Sequence, residues 1–162
     1  MEIVYQIFVT VVGGLIVGIA LDKIRINKRT ITISMTSKNY VSPYNSGSFV
    51  FDYSNNNGTY VIGQQERVFT TKWSKASDTS IHAYSDSTDI DSIALIKNVK
   101  DLSNLNLIDA DFSSRCRTAQ IGDAVAWKNI NGYYAVTKIV SIKDDNRGDT
   151  RDELECQYVI FK

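Results

Sequence analysis

Two patterns of hydrophobic and polar residues divide the chain. Ile3 to Leu21 form one apolar run without a charged side chain, whereas from Thr30 onward short apolar runs alternate with polar residues. At about 1.5 Å per residue, the first run would make a helix of roughly 28 Å, close to the hydrocarbon thickness of a bilayer. Alternation with a period of two is typical of strands. The pattern predicts a transmembrane helix and basic link over 1–29 and a β domain over 30–162.

A cleaved signal peptide is the alternative for the first run. It would need a basic segment before the run and a small-residue cleavage site after it, but Glu2 precedes the run and Asp22 follows it directly. The basic residues after the run are Lys23, Arg25, Lys28 and Arg29, and none precede it. Positive charge favours the cytoplasmic side. We therefore predict a single-pass inner-membrane protein with its N-terminus outside and its β domain in the cytoplasm.

One face of the predicted helix carries small and polar residues. Gln6, Thr10, Gly14 and Gly18 are spaced by four and would share that face. Small residues allow helices to approach closely, and a polar group at membrane depth favours protein or water as its neighbour. The stripe predicts a homo-oligomer, with a tetramer among the arrangements, and a pore lined by Gln6 and Thr10. The alternative is that glycine is common in membrane helices and no pore forms.

The pattern after residue 30 predicts an antiparallel β-barrel or sandwich of about eight strands. Turn residues at Asn55–Gly58 predict a hairpin in which Thr59–Ile62 pairs back onto Ser48–Tyr53. Asn129–Gly132 predicts a second hairpin, because Asn and Gly accept the left-handed backbone conformation. Lys100–Asp109 is expected to form a short helix or an irregular cover. The fold class is therefore mainly β with a single N-terminal transmembrane α-helix.

Composition and charge narrow the functional classes. The chain has nine Tyr and six Phe, which suits strands. Its 18 Lys and Arg balance its 18 Asp and Glu. A protein that binds nucleic acid through unselective phosphate contacts usually has a basic excess. Any site for an anion must therefore be a local cluster of basic residues.

The sequence gives little sign of catalysis or of metal binding. His82 is the single histidine, and no recognised nucleophile, metalloprotease or phosphate-loop motif accompanies it. Asp86, Asp89 and Asp91 do not follow the spacing of a calcium-binding EF-hand, so turn-forming carboxylates are the simpler interpretation. We predict no enzyme activity, no cofactor and no metal site.

Basic residues next to aromatic or hydroxyl side chains suggest a ligand surface. Aromatic rings stack on bases, and Arg or Lys together with Ser or Thr bind phosphates. The alternative is that the tryptophans belong to the core and the cations are solvated. The candidate ligand-binding residues are Lys72, Trp73, Lys75, His82, Tyr84, Arg115, Arg117 and Lys128.

Several short stretches support a resemblance to known bacterial proteins. They are Phe51–Gly58, Lys72–Ser74, Ser80–Tyr84, Asp111–Arg115, Gly132–Ala135 and Arg151–Leu154. These phrases resemble a β-rich domain in the C-terminal part of some TIR-domain proteins linked to phage defence. The layout of the whole chain is similar to anti-phage effectors that join a membrane helix to a β-barrel. Those effectors include the Hailong-type channel effector and CBASS effectors, although CBASS members usually have two spans.

The resemblance implies a membrane effector of bacterial anti-phage defence. We expect a homo-oligomeric ion channel whose opening is controlled by a nucleotide or oligonucleotide bound to the cytoplasmic β domain. A partner nucleotidyltransferase would make that ligand. The main alternative is a membrane-tethered interaction or sensor module without a pore. An enzyme on a membrane anchor, with His82 as its catalytic base, is the third possibility.

Overall fold

The computed structural model describes residues 40–162, which form ten β-strands and four short 3-10 helices. In chain order the strands are β1 (Val41–Ser42), β2 (Ser46–Phe51), β3 (Thr59–Ile62), β4 (Phe69–Lys75), β5 (Ser80–Tyr84), β6 (Ile90–Ile96), β7 (Cys116–Gln120), β8 (Ala124–Asn129), β9 (Tyr134–Lys143) and β10 (Glu153–Phe161). The 3-10 helices are Asn56–Gly58, Gln65–Arg67, Leu102–Asn104 and Asp145–Arg147. The predicted transmembrane and pore residues Gln6, Thr10, Gly14 and Gly18 lie outside the described residues.

The strands form two five-stranded sheets. The first sheet has the order β1-β3-β4-β5-β7, and the second has the order β2-β10-β9-β8-β6. Neighbouring strands are antiparallel except β1, which runs parallel to β3. The prediction of a mainly β domain is confirmed. Over residues 40–162 there are ten strands rather than about eight, and the two sheets do not close into a single barrel.

Alternation along the strands explains how the two sheets pack. In β4 the side chains of Phe69, Thr71 and Trp73 are buried, and the residues between them are partly exposed. β5 repeats this pattern with Ile81 and Ala83 buried. Successive side chains of a strand point to opposite faces, so each sheet turns one apolar face inward. Residues of both sheets together form one continuous core.

Two tryptophans meet at the centre of this core. Trp73 of β4 and Trp127 of β8 contact each other edge to face, with ring centroids 5.2 Å apart. Each indole N–H donates to a buried threonine hydroxyl: Trp73 Nε1 to Thr71 Oγ1 at 2.8 Å and Trp127 Nε1 to Thr137 Oγ1 at 2.9 Å. A buried indole needs such a partner. The pair therefore joins the two sheets without leaving a polar atom unsatisfied.

The loop of residues 97–113 covers part of the outer face of the second sheet. It buries a second apolar cluster that includes Ala94, Ala126 and Val136. Partly buried side chains of the loop pack on this cluster, namely Leu102, Leu105, Leu107, Ala110 and Phe112. The prediction of an irregular cover at Lys100–Asp109 is confirmed, with one 3-10 turn inside it. Most of the outer face of the first sheet carries polar side chains instead.

One of the two predicted hairpins is present and the other is wrong. Asn129–Gly132 joins β8 to β9 as predicted, and Gly132 has the positive φ of 78° that this turn requires. The segment after β2 does not return along β2, because β2 pairs with β10 and β3 pairs with β4. Its turn residues carry the chain from one sheet to the other. Gly58 allows this crossing, since a Cβ there would lie 2.0 Å from the carbonyl oxygen of Trp73.

Within residues 40–162, none of the helices has the length and apolar character needed to cross a lipid bilayer.

Candidate functional site

The outer face of the first sheet brings together the predicted ligand-binding residues Lys72, His82, Tyr84 and Arg115. Lys72 lies opposite Tyr84 across the β4–β5 pair. His82 lies opposite Thr118 across the β5–β7 pair. Arg115 directly precedes β7. We name this surface the His82–Tyr84 face, and it consists of Lys72, Ser74, His82, Tyr84, Arg115 and Thr118.

Two rings and their hydroxyl partners form the centre of the His82–Tyr84 face. The rings of His82 and Tyr84 are 6.2 Å apart and inclined by 61°. Nδ1 of His82 is 2.9 Å from the hydroxyl of Thr118, and the hydroxyl of Tyr84 is 3.0 Å from that of Ser74. These hydrogen bonds link the side chains of β4, β5 and β7. Both rings are partly exposed.

A charged cluster borders these rings. Arg115 donates two hydrogen bonds to Asp86, from Nε at 2.6 Å and from Nη2 at 2.7 Å. Its guanidinium carbon lies 5.8 Å from the centre of the Tyr84 ring. Nζ of Lys72 is 3.8 Å from the same carboxylate. The hydrogen bonds from Arg115 lower the pKa of Asp86, so this carboxylate stays ionised.

The chemistry of the His82–Tyr84 face suits a planar group attached to an anionic group. Tyr84 and His82 offer ring surfaces for stacking, which is a sequence-tolerant way to hold a base. Arg115 and Lys72 offer charge-assisted donors for a phosphate, and Thr118 and Ser74 offer hydroxyls. Asp86 occupies the bidentate edge of Arg115 in the free protein. A phosphate would therefore bind there by replacing Asp86.

The structure corrects the assignment of Trp73. Its side chain is 1% exposed and packs in the core against Trp127. Lys72 and Trp73 are neighbours in one strand, so they point to opposite faces of the sheet. The indole therefore presents no surface to a ligand, and the core interpretation of this tryptophan is the one that the structure supports.

Lys75 is also removed from the ligand surface. Its ammonium lies within 3.0 Å of three carboxylates, those of Asp144, Asp145 and Asp152. Hydrogen bonds to these carboxylates raise the pKa of Lys75, that to Asp144 most of all. Burial opposes ionisation of Asp144 and of Asp152, but Lys75 and backbone N–H donors outweigh it and lower both pKa values. The charge of Lys75 is thus balanced by three carboxylates of the same domain.

Arg117 and Lys128 bind other parts of the chain. Arg117 lies opposite the buried Ala83, and its Nη2 contacts both the backbone carbonyl oxygen and the carboxylate of Asp111. Hydrogen bonds from Ser113, together with Arg117, lower the pKa of Asp111 to about 2. Lys128 belongs to the second sheet and pairs with Asp91 at 3.0 Å. Neither cation belongs to the His82–Tyr84 face.

Among the described residues, the carboxylates of Asp144, Asp145 and Asp152 are near enough to share a cation. The ammonium of Lys75 is that cation in this structure. The three carboxylates weighed as a calcium loop do not converge. Asp86 binds Arg115, Asp89 accepts the backbone N–H of Thr70, and Asp91 pairs with Lys128.

Asp86 borders the His82–Tyr84 face and is absent from the predicted ligand-binding residues, as are Ser74 and Thr118 of the face itself. The sequence pattern predicts only a turn-forming carboxylate here, yet Asp86 accepts two hydrogen bonds from Arg115, which lies 29 positions later in the chain. Its contact depends on the pairing of β5 with β7, which brings Ser85 beside Arg115. A run of residues such as Ser85–Asp91 carries no signal for that partner.

Comparisons of this chain with protein-family models, curated proteins and solved structures found no match. The functional argument therefore rests on the residues themselves.

Proposed function

We propose that this chain is a membrane effector of bacterial anti-phage defence. In this proposal it forms a homo-oligomeric ion channel, and a nucleotide or oligonucleotide bound to the β domain controls its opening. The observation that carries the proposal is the convergence of His82, Tyr84, Arg115 and Lys72 on one solvent-facing sheet surface. Those residue types combine ring stacking with phosphate binding.

The N-terminal pattern supports the membrane part of the proposal. An apolar run from Ile3 to Leu21 is long enough to span a bilayer. Its stripe of Gln6, Thr10, Gly14 and Gly18 suits close packing between identical helices around a polar path. A single span per chain supplies one helix, so a pore requires several copies.

Control by a ligand requires a difference in affinity between two states. A nucleotide shifts a channel equilibrium only as far as it binds the open and closed states with different free energy. The Arg115–Asp86 pair is the contact that ligand binding would change, because a bound phosphate would release Asp86 from Arg115. Lys72, 3.8 Å from Asp86, is the nearest cation that the released carboxylate could bind.

The test reconstitutes the full-length protein in liposomes and measures ion flux with mononucleotides, cyclic dinucleotides and trinucleotides. We expect one class to change the flux and Tyr84→Ala to weaken that effect by roughly fivefold or more, since stacking on an aromatic ring contributes about 1–3 kcal/mol per base. Asp86→Asn should strengthen it, because Arg115 is then free. Tyr44→Ala, at an exposed tyrosine outside the face, is the control.

The outcomes separate the parts of the proposal. Flux that is absent in a verified oligomer, with every nucleotide, removes the channel and leaves a membrane-tethered interaction module. Ion flux that persists in the double variant Gln6→Leu, Thr10→Val would contradict the prediction that these two residues line the pore. Equal responses of Tyr84→Ala and Tyr44→Ala to the nucleotide remove the His82–Tyr84 face as its binding surface.

A further inference from the structure

A cleft of about 530 Å³ lies at one end of the two packed sheets, away from the His82–Tyr84 face. Its volume falls in the range of small-molecule sites. Three segments form its walls: the residue before β2, the turn between β3 and β4, and the residue before β9. The lining residues are Asn45, Gln64, Gln65, Glu66, Arg67 and Tyr133.

Two cations meet at one aromatic ring of this cleft. The guanidinium carbon of Arg67 is 5.3 Å from the centre of the Tyr133 ring, and Nζ of Lys162 is 5.0 Å from it. Neither cation has an ion-pair partner within residues 40–162, whereas the basic residues of the His82–Tyr84 face are already paired. Attraction to the ring holds both positive charges near the cleft without neutralising them.

The walls of the cleft are fixed by a buried asparagine. Asn129 is 1% exposed, and its side-chain amide donates to the backbone carbonyl oxygens of Glu66 at 2.8 Å and Val68 at 3.2 Å. Its side-chain oxygen accepts the backbone N–H of Tyr133 at 2.9 Å. One side chain thus ties the turn that carries Arg67 to the turn between β8 and β9 that carries Tyr133. Binding therefore requires little further ordering of these residues.

A glycine lets the same turn close on itself. Gly63 has a φ of +73°, and a Cβ at this position would lie 2.0 Å from the carbonyl oxygen of Arg67. The backbone N–H of Gly63 donates to the backbone carbonyl oxygen of Ser42 at 2.8 Å. Arg67 is therefore positioned by backbone packing rather than by a salt bridge.

We propose that this cleft is a second binding site, distinct from the His82–Tyr84 face, for a small molecule that carries a phosphate group. Arg67 would bind two phosphate oxygens through its planar guanidinium, and Lys162 would contribute a second positive charge. The side-chain amides of Asn45 and Gln64 would bind the uncharged part of the ligand. Glu66 is the one carboxylate in the lining and offsets the charge of Arg67, so the additional positive charge comes from Lys162, beside the Tyr133 ring.

The experiment measures binding of inorganic pyrophosphate to the full-length protein by isothermal titration calorimetry. Arg67→Gln and Lys162→Gln should each weaken binding by about tenfold or more, because a hydrogen bond to a charged group contributes about 1.5–3 kcal/mol. Glu66→Gln should strengthen binding, since it removes the negative charge from the lining. Lys100→Gln is the matched control, because Lys100 is an exposed cation outside the cleft.

The variants distinguish binding in the cleft from diffuse surface charge and from binding at the His82–Tyr84 face. Weakening by Arg67→Gln and Lys162→Gln, with Lys100→Gln at the wild-type value, supports the site. Similar weakening by all three variants overturns it in favour of diffuse surface charge, and so does a wild-type protein that binds no pyrophosphate. If Arg115→Gln weakens pyrophosphate binding and Arg67→Gln does not, the anion binds at the His82–Tyr84 face and the cleft proposal is wrong. Tyr84→Ala should leave pyrophosphate binding unchanged, so failure of the proposed nucleotide control does not affect this result.

Discussion

Thr71 and Thr137 have equivalent roles at the two tryptophans of the core. Thr71 accepts from Trp73 and donates to the carbonyl oxygen of Tyr60 at 2.7 Å. Thr137 accepts from Trp127 and lies 3.4 Å from the carbonyl oxygen of Val125. A threonine is needed because a hydroxyl both accepts and donates, whereas valine of similar shape does neither.

Thr71→Val should therefore destabilise the domain by about 1–3 kcal/mol, because it leaves the buried indole N–H of Trp73 without an acceptor. The measurement is urea unfolding of the full-length protein, followed by tryptophan fluorescence. The chain has two tryptophans, and both lie in this core, so the signal reports on the β domain. Thr88→Val, at an exposed threonine, should change the midpoint little. Equal midpoints for the two variants would contradict the role of Thr71.

The sheet face on which a side chain lies could be predicted from the alternation of apolar and polar residues along its strand. Period-two alternation places Lys72 on one face and Trp73 on the other, so grouping the two as one binding surface conflicted with their own strand pattern. His82 and Tyr84 are spaced by two, so the same alternation puts both on one face, as the structure has them. The partners of Lys75 and Arg115 were not predictable, because they depend on strand pairings between distant parts of the chain.

At the scale of elements, Lys75 links the end of β4 to the loop between β9 and β10. Three carboxylates surround its ammonium, and Asp144 and Asp152 are buried. The hydroxyl of Tyr53 donates to the carbonyl oxygen of Lys143 at 2.7 Å beside them. Acidic residues this close repel one another unless a cation lies between them. The loop conformation therefore depends on Lys75.

Lys75→Met should lower the urea midpoint at pH 7, because it leaves the buried Asp152 without its cation and Asp144 with Arg147 alone. The same loss should shrink as the pH falls towards about 5, since the carboxylate pKa values rise without Lys75 and protonation relieves the repulsion. Lys128→Met is the control, because Lys128 and Asp91 form an exposed pair that contributes little. A loss of stability that is the same at both pH values would show that packing, not charge, explains the effect.

Strand pairing was predicted only where the turn itself specifies it. The short turn at Asn129–Gly132 permits one return path, and β8 and β9 pair as expected. The Asn-rich segment after β2 has the same residue types but serves a crossing between sheets. Its different course follows from packing on β4, which lies further along the chain. The identity of the turn residues does not specify that contact.

At the scale of the whole domain, ionised carboxylates occur at many of the joins between elements. Asp123 receives backbone N–H groups from Gln120 and Asn98 and pairs with Lys97 at 2.7 Å. Burial opposes its ionisation, but these partners outweigh burial and lower its pKa. Asp86, Asp111 and Asp144 also have lowered pKa values. The fold therefore gains stability from having its carboxylates charged.

The domain should lose stability in acid. A carboxyl whose pKa is lower in the folded state contributes stability above its unfolded pKa of about 4, and that contribution is lost as the pH falls through the folded pKa. The pKa of Asp111, about 2, marks how far the loss extends. We expect the urea midpoint, followed by tryptophan fluorescence, to fall steadily from about pH 4 to about pH 2. A midpoint that rises over this interval would contradict the assignment.

The short strand β1 has a mechanical consequence. Its neighbourhood is joined to β3 by two backbone hydrogen bonds, Val61 to Tyr40 and Gly63 to Ser42, both at 2.8 Å. The hydroxyl of Ser42 also lies 2.6 Å from that of Tyr158 in the other sheet. Tension applied to the backbone ahead of Tyr40 would thus load both sheets at once. The Gly63–Ser42 hydrogen bond would transmit such tension to the turn of residues 63–67, which positions Arg67. A pull on the chain would therefore alter the backbone that holds Arg67 at the proposed phosphate cleft.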